Sequence, residues 1–208
     1  MYTPPAFRED DPALLQAIIN RARLSLLVSN GPAGVPLVTH LPLLCHEGRV
    51  IGHLARANPH WRQMAPRALA IFQGVEGYIS PSSYPSKAEH HRVVPTWNYE
   101  AVHAEGPVEI VEDPTRLREI VAALTDHHEA GRPSPWSVAD APADYLAAQL
   151  KGIVGVVLTI EKLSGKRKLS QNRSAADREG AAAALAASAD PRDRALARAM
   201  REAAGHGA

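Results

Sequence analysis

The sequence predicts one domain of mixed strands and helices, in which a β-barrel is decorated with helices. Six or seven apolar runs have lengths that suit barrel strands, and glycine or proline residues separate them. Helical stretches interrupt these runs without the regular alternation that is typical of a parallel doubly wound sheet. With 208 residues, of which 45% are hydrophobic, the chain can bury one sizeable core. We therefore expect a single, mainly β domain over residues 1–208, with a helical extension at about 174–208.

The elements are expected in the following order. Asp11 and Pro12 read as the cap and the first residue of a helix that ends near residue 23. Strands at 24–29, 35–44 and 50–55 should follow, joined through turns at 31–34 and 46–49 into an antiparallel meander. Further strands are expected at 68–73, 77–80 and 153–160, with a strand pair within 93–112. Further helices are expected at about 115–129, 142–151, 175–187 and 191–204.

Charge and composition argue against several classes of protein. The formal net charge is +1, from 23 basic and 22 acidic residues, whereas a nucleic-acid binder is usually strongly basic. The amino terminus lacks a secretory signal and no apolar run approaches ~18 residues, so we expect a cytoplasmic protein that does not enter a membrane. The single cysteine, Cys45, excludes an internal disulfide framework and a paired-cysteine zinc site; we expect it to be a small core residue.

Ten histidines invite a metal hypothesis, but their spacing does not support it. Only His90-His91 and His127-His128 are adjacent, and neighbouring residues point in different directions on a strand or a helix. No His-Glu-x-x-His pattern occurs, and carboxylates do not accompany the histidines at ligand spacing. We therefore expect no metal site. Motifs for acyl transfer, nucleotide hydrolysis and dinucleotide binding are also absent, so no catalytic residue is assigned.

The first candidate site is the segment Gly52–Trp61, where a strand ends at Arg56 and a short helix begins. Asn58 is expected to cap this helix, with Pro59 at its first position. The N–H groups of a helix start and an arginine guanidinium can converge on one anion, and a phosphate suits both. The alternative is a plain strand-to-helix turn with a solvated arginine.

The second candidate is the segment Lys162–Arg173, which contains five basic residues and no acid before a helix that Asn172 or Ser174 caps. Several of its side chains offer donors for a phosphate, ribityl hydroxyls or a pyrimidine edge: Lys168, Ser170, Gln171 and Asn172. The alternative is a basic surface loop.

The third candidate is the extended segment Val94–His103, with Trp97 and Tyr99 on one face and Asn98 on the other. Aromatic rings beside an amide can stack on a planar ring system and form hydrogen bonds with it. The alternative is a barrel wall or a dimer contact, which is the more common role of Trp and Tyr.

The two terminal helices loosely resemble a helix-turn-helix, because the second is rich in arginine: Arg192, Arg194, Arg198 and Arg201. Acidic residues dilute this charge, and the linking turn lacks the usual glycine. We therefore expect solvated amphipathic helices that pack on the barrel.

Together these segments resemble the PaiB family, which consists of FMN-binding negative transcriptional regulators within the split-barrel flavoprotein superfamily. The resemblance runs nearly end to end through ordered blocks. The blocks are Met1-Tyr-x-Pro with Phe7, Thr39–Pro42, His53–Trp61, Tyr78–Ser82 with Tyr84 and Lys87, Val94–Tyr99, Val102-His103 with Gly106, Pro135-Trp136, and Lys168–Asn172. One departure is Ser83, where relatives usually carry tryptophan; it predicts a roomier pocket at this loop.

The resemblance implies a split β-barrel homodimer with FMN at the subunit interface. Residues at one strand end would form the phosphate side of the site: His53, Leu54, Arg56 and Asn58. Residues of an earlier strand would border the flavin ring: Thr39, His40 and Leu41. Donors from the same or the other subunit would complete the site: Lys168, Ser170, Gln171 and Asn172.

Three functions are open at this point. The resemblance implies a flavin-binding negative transcriptional regulator, although nothing in the residues indicates DNA binding. The alternative is an oxidoreductase acting on a small molecule, in which the flavin does the redox chemistry and no dedicated catalytic side chain is needed. A weaker alternative is a haem-handling protein, since some split-barrel relatives act on haem; His127 and His128 would be the first residues to test.

Overall fold

The computed structural model describes residues 1–32 and 34–205. These residues form two compact units, which are described separately below. The first unit comprises Met1–Ile18, Gln73–Val102 and the chain from Ser164 onward, and the second comprises Ile19–Phe72 and His103–Leu163. The expected turn at 31–34 includes Ala33, and the expected extension to 208 includes residues 206–208; these positions lie outside the described residues. The prediction of a single domain stays a prediction.

The described strands and helices, in chain order within each class, have the following bounds. The strands are β1 (Arg8–Glu9), β2 (Ser25–Asn30), β3 (Pro36–Leu41), β4 (Leu44–His46), β5 (Arg49–Ala55), β6 (Arg67–Ile79), β7 (Thr96–Val111), β8 (Ile153–Thr159) and β9 (Lys162–Lys168). The α-helices are α1 (Pro12–Arg21), α2 (His60–Gln63), α3 (Ser86–His90), α4 (Pro114–Glu129), α5 (Ala143–Leu150), α6 (Ala175–Ala186) and α7 (Pro191–Gly205). Short 3₁₀ turns lie at Pro5–Phe7, Pro81–Ser83 and Val138–Asp140.

The antiparallel strands of the second unit follow the order β3-β2-β6-β7-β8-β5-β4, with β6 as far as Phe72 and β7 from His103. In the described residues, the two ends of this path, β3 and β4, do not pair with each other, so the sheet is open. Helices α4 and α5 cover part of it through a buried cluster that includes Ile51, Leu117, Ile120 and Val157. Gly155 allows α4 to approach closely, because a Cβ there would lie 2.8 Å from Ile120 Cδ1.

The first unit contains the pairing of β1 with β9 and the terminal helix pair. Arg8 pairs with Lys166 and Glu9 with Gly165. Helices α6 and α7 bury an apolar face, including Leu185 and Leu196, in one cluster with other residues of this unit: Ile79, Tyr84 and Leu169. The expected amphipathic character of the two terminal helices is therefore confirmed within this unit.

Strand β6 corrects the expectation of two strands at 68–73 and 77–80, because it runs unbroken from Arg67 to Ile79. Gly74 lies in the gap between the two expected strands, and Gly77 begins the second of them. In the structure both make room for neighbours: a Cβ on Gly74 would lie 2.8 Å from Glu100 Cβ, and one on Gly77 would lie 2.8 Å from Leu196 Cδ2.

Strand β7 corrects the expected strand pair within 93–112, because it is one strand of 16 residues. Gly106 and Pro107 do not form a turn. A Cβ on Gly106 would lie 1.8 Å from the carbonyl oxygen of Thr159, so this glycine permits a close backbone contact. The expected strand at 35–44 is also divided, into β3 and β4, with the break at Pro42-Leu43.

The first part of the segment Lys162–Arg173 is strand β9, so the alternative of a surface loop is wrong for residues 162–168. Lys166 and Arg167 of this strand are buried. The remaining expected elements agree with the structure to within a few residues, and Ser174 caps α6 by accepting a hydrogen bond from the backbone N–H of Asp177. Cys45 was expected in the core but is only half-buried in β4, and this burial raises the pKa of its thiol.

Within the described part of the chain, no helix has the length and apolar character needed to cross a membrane.

Candidate functional site

The predicted site residues divide between the two units. Residues of β3, β5 and the turn after β5 lie in the second unit: Thr39, His40, Leu41, His53, Leu54, Arg56 and Asn58. The end of β9 and the turn after it lie in the first unit: Lys168, Ser170, Gln171 and Asn172. The structure brings several residues of each group together within its own unit.

Strand β3 presents its predicted residues on alternating faces. Thr39 is half-buried, His40 is exposed and Leu41 is buried. Thr39 pairs with Leu27 of β2, which places its hydroxyl beside the polar residues that follow. His40, in contrast, points away from this cluster because successive side chains of a strand face opposite directions.

A buried histidine, His60, is the centre of the polar cluster in the second unit. It is the first residue of α2 and is 3% exposed. Its Nδ1 lies 2.8 Å from Thr39 Oγ1 and its Nε2 lies 3.0 Å from Ser29 Oγ. Burial lowers the pKa of the imidazole below its ordinary value. His60 was not among the predicted site residues; the signal that could have found it is its position two residues after Asn58.

Asn58 connects this histidine to the start of α2. Its side-chain oxygen accepts a hydrogen bond from the backbone N–H of His60 at 3.0 Å, and its Nδ2 donates to Thr39 Oγ1 at 3.2 Å. The helix begins at His60 rather than at Pro59, one residue later than expected, but the asparagine does satisfy its first N–H. The helix has only four residues, so its contribution to anion binding is small.

Three hydrogen-bond partners hold Arg56 in place, and its side chain is 35% exposed. Its Nε donates to the carbonyl of Lys151 at 3.0 Å, and its Nη2 donates to that of Ile153 at 3.2 Å. Its Nη1 donates to Glu112 Oε1 at 2.5 Å. Each terminal nitrogen carries a second N–H beyond these bonds. Binding of a phosphate by Arg56 stays a prediction.

His53 contributes a buried nitrogen that lacks a hydrogen bond. It lies on β5 opposite Gly155 of β8, and its neighbour Leu54 is buried. Within residues 1–32 and 34–205, Nδ1 of His53 has no hydrogen-bond partner. Burial lowers the pKa of this imidazole. A buried polar atom without a partner is the kind of atom that a bound water or ligand satisfies.

In the first unit, Lys168 and Ser170 bond to residues of β7. Lys168 Nζ donates to Thr96 Oγ1 and to the carbonyl of Trp97, and burial followed by the charges of Lys166 and Arg173 lowers its pKa. Ser170 Oγ is 2.9 Å from Asn98 Nδ2, and both side chains are buried. Lys168 and Ser170 therefore connect the end of β9 to β7.

Gln171 and Asn172 differ in whether their side-chain amides are bonded within the protein. Gln171 Nε2 donates to the carbonyl of Arg167 at 2.6 Å, and its Oε1 accepts from the N–H of Leu169 at 2.7 Å. Asn172 is exposed. Ser170 has φ of 67°, a left-handed conformation that is uncommon outside glycine and indicates a tightly specified turn. Both polar atoms of the Gln171 amide therefore bond to the backbone next to this turn.

The aromatic residues of β7 alternate as the sequence predicts. Asn98 is fully buried, whereas Trp97 is 49% exposed. The Trp97 ring lies 6.3 Å from that of Tyr78, and its Nε1–H donates to Glu76. The Tyr99 ring lies 5.1 Å from Lys166 Nζ. Stacking of Trp97 or Tyr99 on a planar ligand stays a prediction.

The histidines of the metal and haem hypotheses have the following positions. His127 and His128 are exposed near the end of α4, with ring centroids 5.1 Å apart. No cluster of three or more His, Cys, Asp or Glu side chains able to hold a metal ion occurs among residues 1–32 and 34–205. Haem binding by His127 or His128 stays a prediction.

Two sequence comparisons show which proteins this chain is similar to. Residues 1–162 match the family described as "Putative FMN-binding domain". The chain is 32% identical over 183 residues to "Protease synthase and sporulation protein PAI 2" of Bacillus subtilis, covering 85% of each protein.

Solved structures show a similar fold. The FAD and heme binding protein of Mycobacterium smegmatis has a TM-score of 0.60 at 16% identity, covering 82% of this chain and 78% of the other. The flavocytochrome Anf3 of Azotobacter vinelandii has a TM-score of 0.57 at 18% identity, covering 77% of this chain and 69% of the other. At these identities the similarity defines the fold alone. The fold is that of the split-barrel flavoproteins, with added helices, as the sequence predicts.

Proposed function

This chain belongs to the PaiB family of FMN-binding domains, and on that premise we propose that it is an FMN-dependent oxidoreductase acting on a small molecule. FMN is the cofactor of this family. When bound, it supplies the redox chemistry, while the protein supplies binding, orientation and exclusion of water.

The side chains of the second unit fit such a cofactor. Nδ1 of His53 is buried without a partner, and the cluster around Thr39 and Asn58 is rich in hydrogen-bond donors. Arg56 is fixed by its three partners and keeps two further N–H groups. FMN carries acceptors of the matching kind on its phosphate, its ribityl chain and its ring. The orphaned nitrogen of His53 is the observation that carries this proposal.

Direct recognition of DNA by the terminal helices receives little support from their arginines. Arg192 pairs with Asp190 at 2.6 Å, and Arg201 pairs with Glu179 at 2.7 Å. Arg194 donates to the backbone carbonyls of Ser188 and Ala189. An arginine whose donors already serve a carboxylate or a carbonyl gains less from a DNA phosphate.

The resemblance to the PaiB family favours a second candidate function, negative transcriptional regulation. A gel-shift titration with promoter fragments, at two salt concentrations, tests it. Binding that depends on sequence and survives physiological salt would support a repressor. Binding that is uniform across sequences and disappears with salt would argue against direct repression.

We also propose that two copies of this chain form a homodimer with the flavin at their interface. Beside Thr39 and His40, strand β3 exposes Val38 on its outer face, and Val35 precedes the strand with 68% exposure. An exposed strand edge with apolar side chains favours pairing with another protein surface. Sedimentation of the FMN-loaded protein at several concentrations tests this; a monomer at all of them would contradict it. A cytoplasmic location stays a prediction of the sequence.

The visible absorption spectrum of the freshly purified protein, with and without added FMN, tests the proposed cofactor site. We expect flavin bands that remain with the protein on gel filtration and weaken in Arg56→Ala. Arg116→Ala is a matched control, because Arg116 also pairs with a surface carboxylate, Glu109 at 2.5 Å, outside the site. A colourless protein that does not bind added FMN would refute the proposal.

Consumption of reduced nicotinamide by the FMN-loaded protein then tests the oxidoreductase assignment.

A further inference from the structure

The hydrogen bonds around His60 determine which of two neighbouring hydroxyl groups, that of Ser29 or that of Thr39, is left to donate to a ligand. Asn58 has one orientation in this cluster, because its side chain faces the backbone N–H of His60, which can only donate. The facing atom is therefore the oxygen, and the other amide atom is the nitrogen, which donates to Thr39 Oγ1 at 3.2 Å. One of the two lone pairs of the Thr39 hydroxyl is occupied in this way.

A neutral imidazole at His60 allows two arrangements, since one ring nitrogen carries a hydrogen and the other accepts one. In the first, Nδ1–H donates to Thr39 Oγ1 at 2.8 Å, and the hydroxyl of Ser29 donates to Nε2 at 3.0 Å. In the second, Thr39 donates to Nδ1, and Nε2–H donates to Ser29. Burial lowers the pKa of His60, which opposes a third arrangement with both nitrogens protonated.

Ser29 distinguishes between the two arrangements. It is 4% exposed, and in the described part of the chain its hydroxyl has one hydrogen-bond partner, Nε2 of His60. In the second arrangement, Ser29 would accept from Nε2 and its own proton would be buried without an acceptor, which is costly. The first arrangement leaves no such proton. There the proton without a partner belongs to Thr39, which is only half-buried and open to a ligand.

We propose that His60 is a positioning residue that, as its Nδ1–H tautomer, fills the second lone pair of Thr39 and makes the Thr39 hydroxyl an obligatory donor to the bound cofactor. This inference rests on the proposed FMN function. With both lone pairs occupied, by Asn58 and by His60, the hydroxyl can no longer accept a hydrogen bond from a ligand. The cofactor atom beside Thr39 must therefore be an acceptor, and a cofactor analogue that presents an N–H at that position should be rejected.

The tautomer can be measured without any cofactor. Nitrogen-15 NMR of the histidine-labelled protein at pH 7.5, assigned by comparison with His60→Asn, reports the protonation of each ring nitrogen. We expect Nδ1 of His60 to be protonated and Nε2 to be unprotonated and hydrogen-bonded. The opposite pattern would overturn the inference, whatever the outcome for FMN.

The effect on cofactor binding is tested by a set of variants at the two positions. Titration of flavin fluorescence should show about tenfold weaker FMN binding for Thr39→Val, the loss expected for one hydrogen bond to a ligand. Thr39→Ser should retain binding. His60→Phe should also weaken binding, because the Thr39 hydroxyl is no longer held as a donor, and the double variant should bind about as weakly as Thr39→Val alone. His60→Asn, whose amide can replace Nδ1–H, should restore much of the affinity.

Two comparisons separate this inference from a general loss of structure. His46→Phe, at an exposed histidine of the same unit, should leave both FMN affinity and the flavin absorption bands unchanged. Thermal melts of the cofactor-free variants identify any that fail to fold, in which case Thr39→Val and Thr39→Ser carry the comparison. Additive losses in the double variant, or an unchanged affinity of Thr39→Val, would overturn the role of His60. Failure of the wild-type protein to bind FMN would instead refute the proposed function, and the NMR result would stand apart from it.

Discussion

Arg167 and Glu100 form a buried ion pair: Arg167 Nε lies 2.8 Å from Glu100 Oε1, and the two side chains are 6% and 0% exposed. Glu9 of β1 lies 3.6 Å from the same guanidinium and is more exposed. The arginine therefore connects β9 to β7 and to β1 in the first unit. A buried charge that loses its partner is strongly destabilising.

We predict that Arg167→Met lowers the free energy of unfolding by about 3–5 kcal/mol, because it leaves the buried carboxylate of Glu100 without this partner. Urea unfolding followed by circular dichroism measures the change. The double variant Arg167→Met with Glu100→Gln should recover part of the loss, because it removes the buried charge. Arg192→Met is the matched control. Arg192 pairs with Asp190 at the surface, so this variant should change the free energy of unfolding very little. Equal effects of Arg167→Met and Arg192→Met would contradict this account.

We predict that Gly106→Ala destabilises the protein more than Gly77→Ala does. A Cβ at position 106 would lie 1.8 Å from the carbonyl oxygen of Thr159, so the backbone itself must move. At position 77 the nearest atom is Leu196 Cδ2 at 2.8 Å, the end of a side chain that can rotate. Overpacking typically costs about 1–3 kcal/mol, and a backbone shift should place Gly106→Ala at or above the upper end. Thermal melts of the two variants, compared with the wild type, measure the difference.

These glycines also show what the sequence could and could not predict. Helices and strands with strong periodicity, such as α4, α7 and β8, were predicted closely because local pattern specifies them. Gly74, Gly77 and Gly106 have the same identity as turn glycines, and only their neighbours, distant in sequence, show that they serve close packing.

The site was predictable to a similar extent. The resemblance to a family implied Thr39, Asn58 and Arg56 as candidate site residues, which stays a prediction, and only the structure shows that Arg56 is held by Glu112 and two carbonyls. His60 was missed because its partners Ser29 and Thr39 lie on strands far away in sequence. In β9, the basic residues suggested a surface loop because buried lysine and arginine are rare unless paired, and sequence does not show the pairing.

We predict that the protein loses stability as the pH falls through about 6.5, the ordinary pKa of histidine. Burial lowers the folded-state pKa of His53 and of His60, and it is also the main cause at His103. Between the lowered folded value and the unfolded value, the unfolded state binds more protons, so the free energy of unfolding decreases as the pH decreases. Their contribution is complete above pH 6.5 and is lost as the pH falls towards the folded-state pKa. Urea unfolding at pH 8.0, 7.0, 6.0 and 5.5 measures this dependence.

The control for this pH dependence is the double variant His53→Gln with His103→Gln, which leaves the His60 cluster intact. Its free energy of unfolding should fall less steeply between pH 7 and pH 5.5, because two of the three histidines with lowered pKa no longer take up protons. His46→Gln, at an exposed histidine, should keep the wild-type slope. An identical slope in all three proteins would show that these buried histidines do not determine the acid sensitivity.

Asp177 of α6 anchors the segment that begins at Ser86, and we predict that Asp177→Ala releases it. The carboxylate accepts hydrogen bonds from the backbone N–H of Ser86 at 3.1 Å and from its hydroxyl at 2.8 Å. Removing it leaves two donors without an acceptor, a loss of about 1–3 kcal/mol in the free energy of unfolding. Limited proteolysis should cut the variant within residues 81–92 faster than the wild type, because α3 loses its hydrogen bonds to α6. Glu89→Ala, at an exposed carboxylate of α3, should leave both the cleavage rate and the stability close to wild type. If Glu89→Ala were also cleaved faster, the effect would belong to the segment in general and not to the hydrogen bonds of Asp177.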